Sequence, residues 1–147
     1  MRVEIKQFSE LSVFELYEIL KLRSEVFVVE QNCPYLDCDD KDQASYHVMV
    51  YEEDQLIACA RCLPKDISYA GYCSIGRVVS SLKFRRSGAG RYVMEQAIQC
   101  CEKEFPNVRI KISAQSYLKV FYRSFDFEEV GEEYLEDFIP HCAMIRK

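Results

Sequence analysis

Residues 74–80 read Ser-Ile-Gly-Arg-Val-Val-Ser, and residues 85–90 read Arg-Arg-Ser-Gly-Ala-Gly. The first segment is rich in β-branched residues, which fit the half-buried surface of a strand. Beyond the second glycine the apolar residues Val93, Ala97 and Cys101 recur at helical spacing. The stretch therefore predicts a strand, a glycine-containing loop and a helix, in that order.

The loop has the features of an anion-binding site. Gly88 and Gly90 remove side chains where the chain turns, so that backbone N–H groups can approach a ligand closely. The helix that follows begins with unpaired N–H donors and the positive end of its dipole. Arg85, Arg86 and Arg91 flank the turn, and a guanidinium binds phosphate oxygens well. We therefore expect a ligand that carries a pyrophosphate.

Two other phosphate-binding loops do not fit this stretch. The P-loop ends in Gly-Lys-Ser/Thr, and that ending is absent here. The dinucleotide fingerprint needs three glycines early in a βαβ unit and an acidic residue at the end of the next strand, whereas the predicted strand 109–114 is followed by Gln115.

The spacing Arg85-x-x-Gly88-x-Gly90 resembles the acetyl-CoA loop of the GNAT superfamily of N-acetyltransferases, Arg/Gln-x-x-Gly-x-Gly/Ala. The resemblance extends over almost the whole chain, and the chain looks like a member of the ElaA-like branch of that superfamily. Its other matching motifs are Leu22-Arg23-x-x-Val26-Phe27-Val28-Val29-Glu30-Gln31-x-Cys33-Pro34-Tyr35 and Ile139-Pro140-His141.

This resemblance implies a fold and an activity. The fold is α/β (α+β), a single N-acetyltransferase domain over residues 1–147, with a mixed, mostly antiparallel sheet of six to seven strands flanked by about four helices. The implied enzyme moves an acetyl group from acetyl-CoA, as co-substrate, to a primary amine by direct transfer in a ternary complex.

The resemblance also implies which residues contact the coenzyme. In GNAT folds the central strand splays and offers backbone N–H groups to the pantetheine arm and the thioester carbonyl. The residues expected at the coenzyme are Val78, Val79, Ser80, Arg85, Arg86, Ser87, Gly88, Ala89, Gly90, Arg91, Gln115, Phe121 and Tyr122.

Tyr122 is the expected proton donor to the coenzyme A sulfur, because it occupies the tyrosine of the family pattern Phe-Tyr-x-x-x-Gly-Phe. Asp126 stands where the family has glycine. Aspartate tolerates left-handed conformations better than most residues, so the turn is expected to form. The alternative role for Tyr122 is a core tyrosine with a satisfied hydroxyl.

Several groups are candidates for the general base. His141 and His47 have an unperturbed pKa of about 6.5, and Glu30 lies in an acidic loop. A lone histidine is more often structural, and water can also carry the proton of the amine.

Residues 30–43 form the most acidic stretch of the chain. It is either a solvated loop or a surface that attracts a small cationic amine. For Arg23 the alternative is a surface side chain. The residues expected at the acceptor are Arg23, Glu30, Asp37, Asp39 and His47.

Composition narrows the class of protein. The chain has 147 residues, a formal net charge of −5 and eight cysteines. One globular domain fits this length, and the charge argues against a nucleic-acid binder. No apolar run is long enough for a membrane span and no signal peptide is evident, so we expect a cytoplasmic protein with reduced thiols. The sequence is compatible with a homodimer.

A metal site is not expected. Cys59-Ala60-Arg61-Cys62 has the spacing of a metal motif, but in a strand its two cysteines point to opposite faces, and no second pair completes a tetrahedral site.

The remaining segments predict alternating strands and helices. Ser12-x-x-Glu15 is a capping box that starts a helix running to about Phe27, with an expected buried stripe of Val13, Leu16, Tyr17 and Leu20. The other expected elements are a strand at 3–6, a hairpin of 46–51 and 56–61, a strand at 108–112, a short helix at 117–125 and strands at 127–134 and 141–145.

Two classes of function remain open. One is the acetyltransferase, and the other is a non-catalytic module that binds acyl-CoA and has lost turnover. Within enzymes, Leu22-Arg23-x-x-Val26-Phe27 is also similar to acyl-homoserine-lactone synthases, which share the fold, but the acetyl-CoA loop favours the acetyltransferase.

Overall fold

The chain forms seven strands and three α-helices in a computed structural model that describes residues 1–147. In chain order the elements are β1 (Arg2–Gln7), α1 (Val13–Arg23), β2 (Tyr46–Glu52), β3 (Gln55–Leu63), β4 (Ser74–Ser80), α2 (Ala89–Glu104), β5 (Lys111–Gln115), α3 (Lys119–Arg123), β6 (Phe127–Glu136) and β7 (Ile139–Arg146). The expected strand and helix order is confirmed, with three α-helices where about four were expected.

The strands form two antiparallel sheets that touch at one point. Their orders are β1-β2-β3-β4 and β5-β7-β6. The sheets join at a parallel bridge between Cys73 and Ile110, where the Cys73 N–H donates to the Arg109 carbonyl at 3.1 Å and the Lys111 N–H donates to the Cys73 carbonyl at 2.9 Å. Beyond this bridge β4 and β5 run side by side without pairing, which opens a cleft between them.

Each face of the first sheet is covered by one helix. α2 packs on one face and contributes Val93, Met94 and Ala97 to the larger core. α1 and the residues that follow it cover the other face. Cys62 lies in the first core and Cys59 in the second, as the period of the strand predicts.

The expected start of α1 is confirmed, but its expected buried stripe is wrong. The Ser12 side chain accepts from the Glu15 N–H, and the Glu15 side chain accepts from the Ser12 N–H. Val13 and Tyr17 are 76% and 72% exposed, and the helix instead buries Ile19 together with Leu22 and Arg23. The buried ion pairs of Arg23, described below, lie on the same face of α1 as Ile19 and Leu22.

α1 continues into wider π-helical turns over Ser24–Glu30. The Gln31 N–H donates to the Val26 carbonyl at 3.0 Å, five residues back. π-Helical turns are rare and frequently lie at functional sites. Here they bring Glu30 to the mouth of the cleft.

Asp126 adopts the left-handed conformation that the family glycine would adopt. Its φ is +71°, and its N–H donates to the Arg123 carbonyl at 3.0 Å. The expectation that aspartate preserves this turn is confirmed.

Candidate active site

A cavity of about 430 Å³ fills the cleft between β4 and β5. Five parts of the chain meet there: the π-helical turns with the residues after them, strand β4, the loop before α2, strand β5 with α3 after it, and the β6–β7 hairpin. About half of its lining is apolar, as in most small-molecule sites.

The β4 wall of the cavity is irregular. Cys59 pairs with Val79 while Arg61 pairs with Gly76, so Arg77 and Val78 on β4 oppose one residue of β3. This is a β-bulge, and Arg77 has φ of +50°. Beyond Cys73 the other edge of β4 has no partner strand, so its backbone donors face the cavity. The lining includes Val78, Val79 and Ser80.

The loop before α2 has the backbone expected of an anion site. Gly88 has φ of +89°, a region that L-residues rarely adopt, and a Cβ added there would meet no atom within 4 Å. A Cβ at Gly90 would lie 4.0 Å from the Ser80 hydroxyl oxygen. α2 begins at Ala89, and Gly90 lines the cavity. The Ser87 hydroxyl donates to the Phe84 carbonyl within the loop.

The three arginines of the loop have different surroundings. Arg85 lines the cavity and makes a bidentate ion pair with Glu30. Arg86 is exposed and has φ of +68°. Arg91 donates to the Ser124 hydroxyl at 2.9 Å and lies over the Phe125 ring at 4.6 Å, and it is not part of the cavity lining.

The far wall carries Gln115, Phe121 and Tyr122. Gln115 and Gln31 are joined by side-chain amide hydrogen bonds of 3.3 and 3.4 Å across the cleft. Tyr122 is buried, and this burial raises its pKa to about 12. Its ring packs edge-on against Phe121 and Phe127 at centroid distances of 5.2 and 6.2 Å.

His141 also lines the cavity and has a defined proton arrangement. Its Nδ1 lies 2.7 Å from the Ile139 carbonyl oxygen, and its Nε2 lies 3.3 Å from a carboxylate oxygen of Glu136. A carbonyl and an ionised carboxylate only accept hydrogen bonds, so both contacts are made when Nδ1 donates to Ile139 and a protonated Nε2 donates to Glu136.

Four of the residues expected at the acceptor do not line the cavity: Arg23, Asp37, Asp39 and His47. Arg23 is 1% exposed and donates to Asp37 at 2.7 Å and to Asp42 at 2.9 Å. The carboxylates are therefore neutralised by arginines and are not free to attract an amine. They are not a solvated loop either.

Three arginines and three aspartates form this buried network. Arg61 donates to Asp39 at 2.6 and 2.7 Å and to Asp42 at 2.9 Å. Arg77 contacts Asp37 at 2.8 Å and Asp39 at 3.3 Å. Burial raises the pKa of the Asp39 carboxyl, but the hydrogen bond and charge of Arg61 outweigh it and hold that pKa well below its usual range. The network ties residues 37–42 to α1, β3 and β4.

His47 lies behind the same network. It is 1% exposed, and its Nε2 lies 2.9 Å from the Asp42 carbonyl oxygen, to which it donates. Burial lowers the pKa of His47, and the charges of Arg23 and Arg61 add to that effect. We assign His47 to the core and not to the acceptor site.

Several cavity residues were absent from the sequence-based set. Arg77, Tyr35, Glu136 and Asp137 all line the cavity. One signal was present in the sequence: Arg61 interrupts an apolar strand, and a charge in a buried strand requires an opposite charge nearby. That signal indicates that carboxylates must pack against β3.

No group of three or more His, Cys, Asp or Glu side chains is placed to bind a metal ion. None of the helices combines the length and the apolar composition that crossing a membrane requires. All eight cysteines are free thiols.

Comparison with known families agrees with this geometry. Residues 17–147 match the acetyltransferase (GNAT) domain family. The chain belongs to the GNAT acetyltransferase family. This GNAT chain is 42% identical over 141 residues to protein ElaA of Escherichia coli strain K12, covering 95% of this chain and 92% of that protein. It is 40% identical to a UPF0039 protein of Schizosaccharomyces pombe, covering 95% and 92%.

Solved GNAT structures show the same fold. The crystal structures of an acyl-CoA N-acyltransferase from Pseudomonas aeruginosa and of Escherichia coli ElaA each superpose with a TM-score of 0.92 at 40% identity, over 100% of both chains. The AHL synthase LasI superposes with a TM-score of 0.72 at 14% identity, over 98% of this chain and 88% of that one. The last likeness concerns the fold alone.

Proposed function

We propose that this GNAT protein is an acetyl-CoA-dependent N-acetyltransferase that transfers the acetyl group directly to a primary amine of a small cationic acceptor. The observation that carries the proposal is that a single cavity is lined by the β4 bulge, the loop before α2 and Tyr122. These are the parts that hold a thioester and assist its cleavage.

The geometry suits the coenzyme from the phosphate end to the sulfur. The pyrophosphate would lie at the start of α2, because Gly88 leaves its backbone open and the helix presents unpaired N–H groups there. The pantetheine arm would pair with the free edge of β4 near Val78, as a strand does. The thioester would then lie between β4 and Tyr122.

The acceptor would bind at the opposite end of the cavity, near the β6–β7 hairpin. Glu136 and Asp137 line that end, and the Asp137 carboxylate has no ion-pair partner in the protein. Both carboxylates can attract and orient an ammonium group. They replace Asp37 and Asp39 as the acidic residues that favour a cationic acceptor.

Amide formation requires that the C–S bond breaks as the N–C bond forms. The acceptor ammonium must first lose a proton, which would pass to the Nε2 atom of a neutral His141 directly or through water, and the resulting imidazolium would donate to Glu136. The tetrahedral oxyanion would be stabilised by backbone N–H groups of the β4 bulge. The Tyr122 hydroxyl would donate a hydrogen bond to the departing sulfur.

The pKa of Tyr122 defines how it assists. Burial raises the pKa of the Tyr122 phenol to about 12, so its hydroxyl keeps its proton at neutral pH and is available as a donor. Tyr122 therefore acts first as a hydrogen-bond donor to the developing thiolate, and such a donor is typically worth about 10²-fold or more in rate.

Coenzyme A release from acetyl-CoA tests this function, measured over a panel of polyamines, amino acids, aminoglycosides and peptide N-termini. Tyr122→Phe should lower kcat by about 10²-fold and leave coenzyme affinity unchanged, because the ring still packs against Phe127. Tyr92→Phe removes a hydroxyl outside the cavity and should have no effect. An active Tyr122→Phe enzyme would refute the role of the hydroxyl, and tight coenzyme binding without release for any amine would favour the non-catalytic module.

A neutralising pair of variants tests the acceptor class. Glu136→Gln and Asp137→Asn should raise the KM for the amine and reduce its dependence on salt, while the KM for acetyl-CoA stays constant. A panel in which only neutral or anionic acceptors react would contradict the cationic assignment.

A further inference from the structure

An ion pair between Glu30 and Arg85 joins two walls of the cavity. Arg85 Nη2 donates to Glu30 Oε1 at 2.7 Å, and Nη1 donates to Oε2. The two residues lie 55 positions apart, and each side chain is 35% exposed. Glu30 ends the π-helical turns, and Arg85 begins the loop expected to hold phosphate. The pair therefore connects the π-helical turns to the loop before α2 across the cavity.

Glu30 uses the same donors of Arg85 that a phosphate would use. A guanidinium presents a fork that matches either a carboxylate or a phosphate, and each takes both terminal nitrogens. In this structure the fork is turned toward Glu30, and its only other contact is a 3.4 Å bond from Nη2 to the Ser80 carbonyl. The hydrogen bond from Arg85 is the main cause of the lowered pKa of Glu30, so the carboxylate is ionised. A phosphate and Glu30 cannot both accept hydrogen bonds from Nη1 and Nη2 of Arg85 at the same time.

We propose that Glu30 occupies Arg85 in the free protein and is displaced from it when a phosphate of coenzyme A takes that arginine. The proposal rests on the function proposed above. Coenzyme binding then exchanges one anionic partner of Arg85 for another, so that Glu30 competes with the coenzyme for this site.

The exchange has a measurable cost to coenzyme binding. In the unmodified protein, coenzyme A must break an ion pair and bring its phosphates close to the Glu30 charge. Removing the charge while keeping the shape abolishes both costs. From the usual strength of partly exposed ion pairs and of like charges at this separation, Glu30→Gln should bind coenzyme A about three- to tenfold more tightly.

Titration calorimetry with coenzyme A tests the exchange directly. The expected result is tighter binding by Glu30→Gln and by Glu30→Ala, and weaker binding by Arg85→Ala. In the Arg85→Ala background, Glu30→Gln should tighten binding by a smaller factor than it does in the unmodified protein, because only the repulsion between Glu30 and the phosphates is left to remove. Glu25→Gln is the matched control: it lies in the same turns, is exposed and makes no ion pair, and its affinity should equal that of the unmodified protein.

The outcomes separate this inference from the proposed function. Failure of the unmodified protein to bind coenzyme A would overturn both, whereas normal binding with unchanged or weaker affinity in Glu30→Gln would overturn the exchange alone. With an amine identified by coenzyme release, Glu30→Gln should lower the KM for acetyl-CoA, and an unchanged or higher KM for acetyl-CoA would overturn the exchange.

Discussion

Asp42→Asn should destabilise the protein strongly although the substitution changes the shape of the side chain very little. The Asp42 carboxylate accepts from Arg23 at 2.9 and 3.2 Å and from Arg61 at 2.9 Å. All three residues are buried. Asparagine would keep one acceptor oxygen and place an NH₂ group against an arginine donor, and it would leave one positive charge of the network without a counter-charge.

The magnitude follows from how much of the network survives. Breaking a buried ion pair by removing one partner costs about 3–5 kcal/mol. Arg23 keeps Asp37 and Arg61 keeps Asp39, so the lower end of that range applies. A loss of about 3 kcal/mol in a chain of this size lowers the Tm by about 6–12 °C.

Urea unfolding followed by far-UV circular dichroism measures this loss, with a common m value across variants. Asp40→Asn is the control, because Asp40 is exposed, makes no ion pair and has φ of +64°, which asparagine tolerates. It should stay within about 0.5 kcal/mol of the unmodified protein. A loss under about 1 kcal/mol for Asp42→Asn, or an equal loss for both variants, would refute the role given to the network.

Two further predictions concern the loop and the buried histidine. Gly88→Val places a β-branched residue at φ of +89°. The affinity for coenzyme A should therefore fall at least tenfold, and the free energy of unfolding should fall by about 1–2 kcal/mol. An unchanged affinity in titration calorimetry would contradict the loop assignment. Burial lowers the pKa of His47. Below pH about 6.5 this histidine is therefore protonated in the unfolded chain but stays neutral in the folded protein, and the free energy of unfolding should decrease by up to about 1.4 kcal/mol for each pH unit that the pH is lowered. His47→Gln should remove this pH dependence of the free energy of unfolding between pH about 6.5 and about 5. Urea unfolding of both proteins at these two pH values measures it, and an equal pH dependence in the variant and in the unmodified protein would contradict the prediction.

The parts of this fold that depend on local sequence could be predicted. The Ser12 capping box, the turn at Gly88 and the left-handed Asp126 each depend on a few neighbouring residues. The opposite faces of Cys59 and Cys62 follow from the period of one strand. In each case the physical cause lies within a short window of sequence.

The parts that depend on distant pairing could not be predicted. Asp37 lies 14 residues from Arg23 and 40 residues from Arg77, and these contacts exist only once the helix and the strands are assembled. Without them the acidic segment resembles either a solvated loop or an amine site. The face of α1 that carries Ile19 and Leu22 also carries Arg23, and this face is buried in place of the stripe expected from Val13 and Tyr17.

The two sides of the cavity end where we propose that the acceptor binds differ in how strongly the fold constrains them. The side that carries Arg77 is fixed by the arginine–aspartate network, whereas the other side is the β6–β7 turn, where Asp137 and Phe138 have φ of +49° and +67° and Phe138 is 90% exposed. Mutations in the network that alter the cavity also weaken the fold, but the turn can change length or sequence at little thermodynamic cost. Evolutionary divergence of acceptor choice, and any mutant library meant to redirect it, should therefore concentrate on residues 135–139.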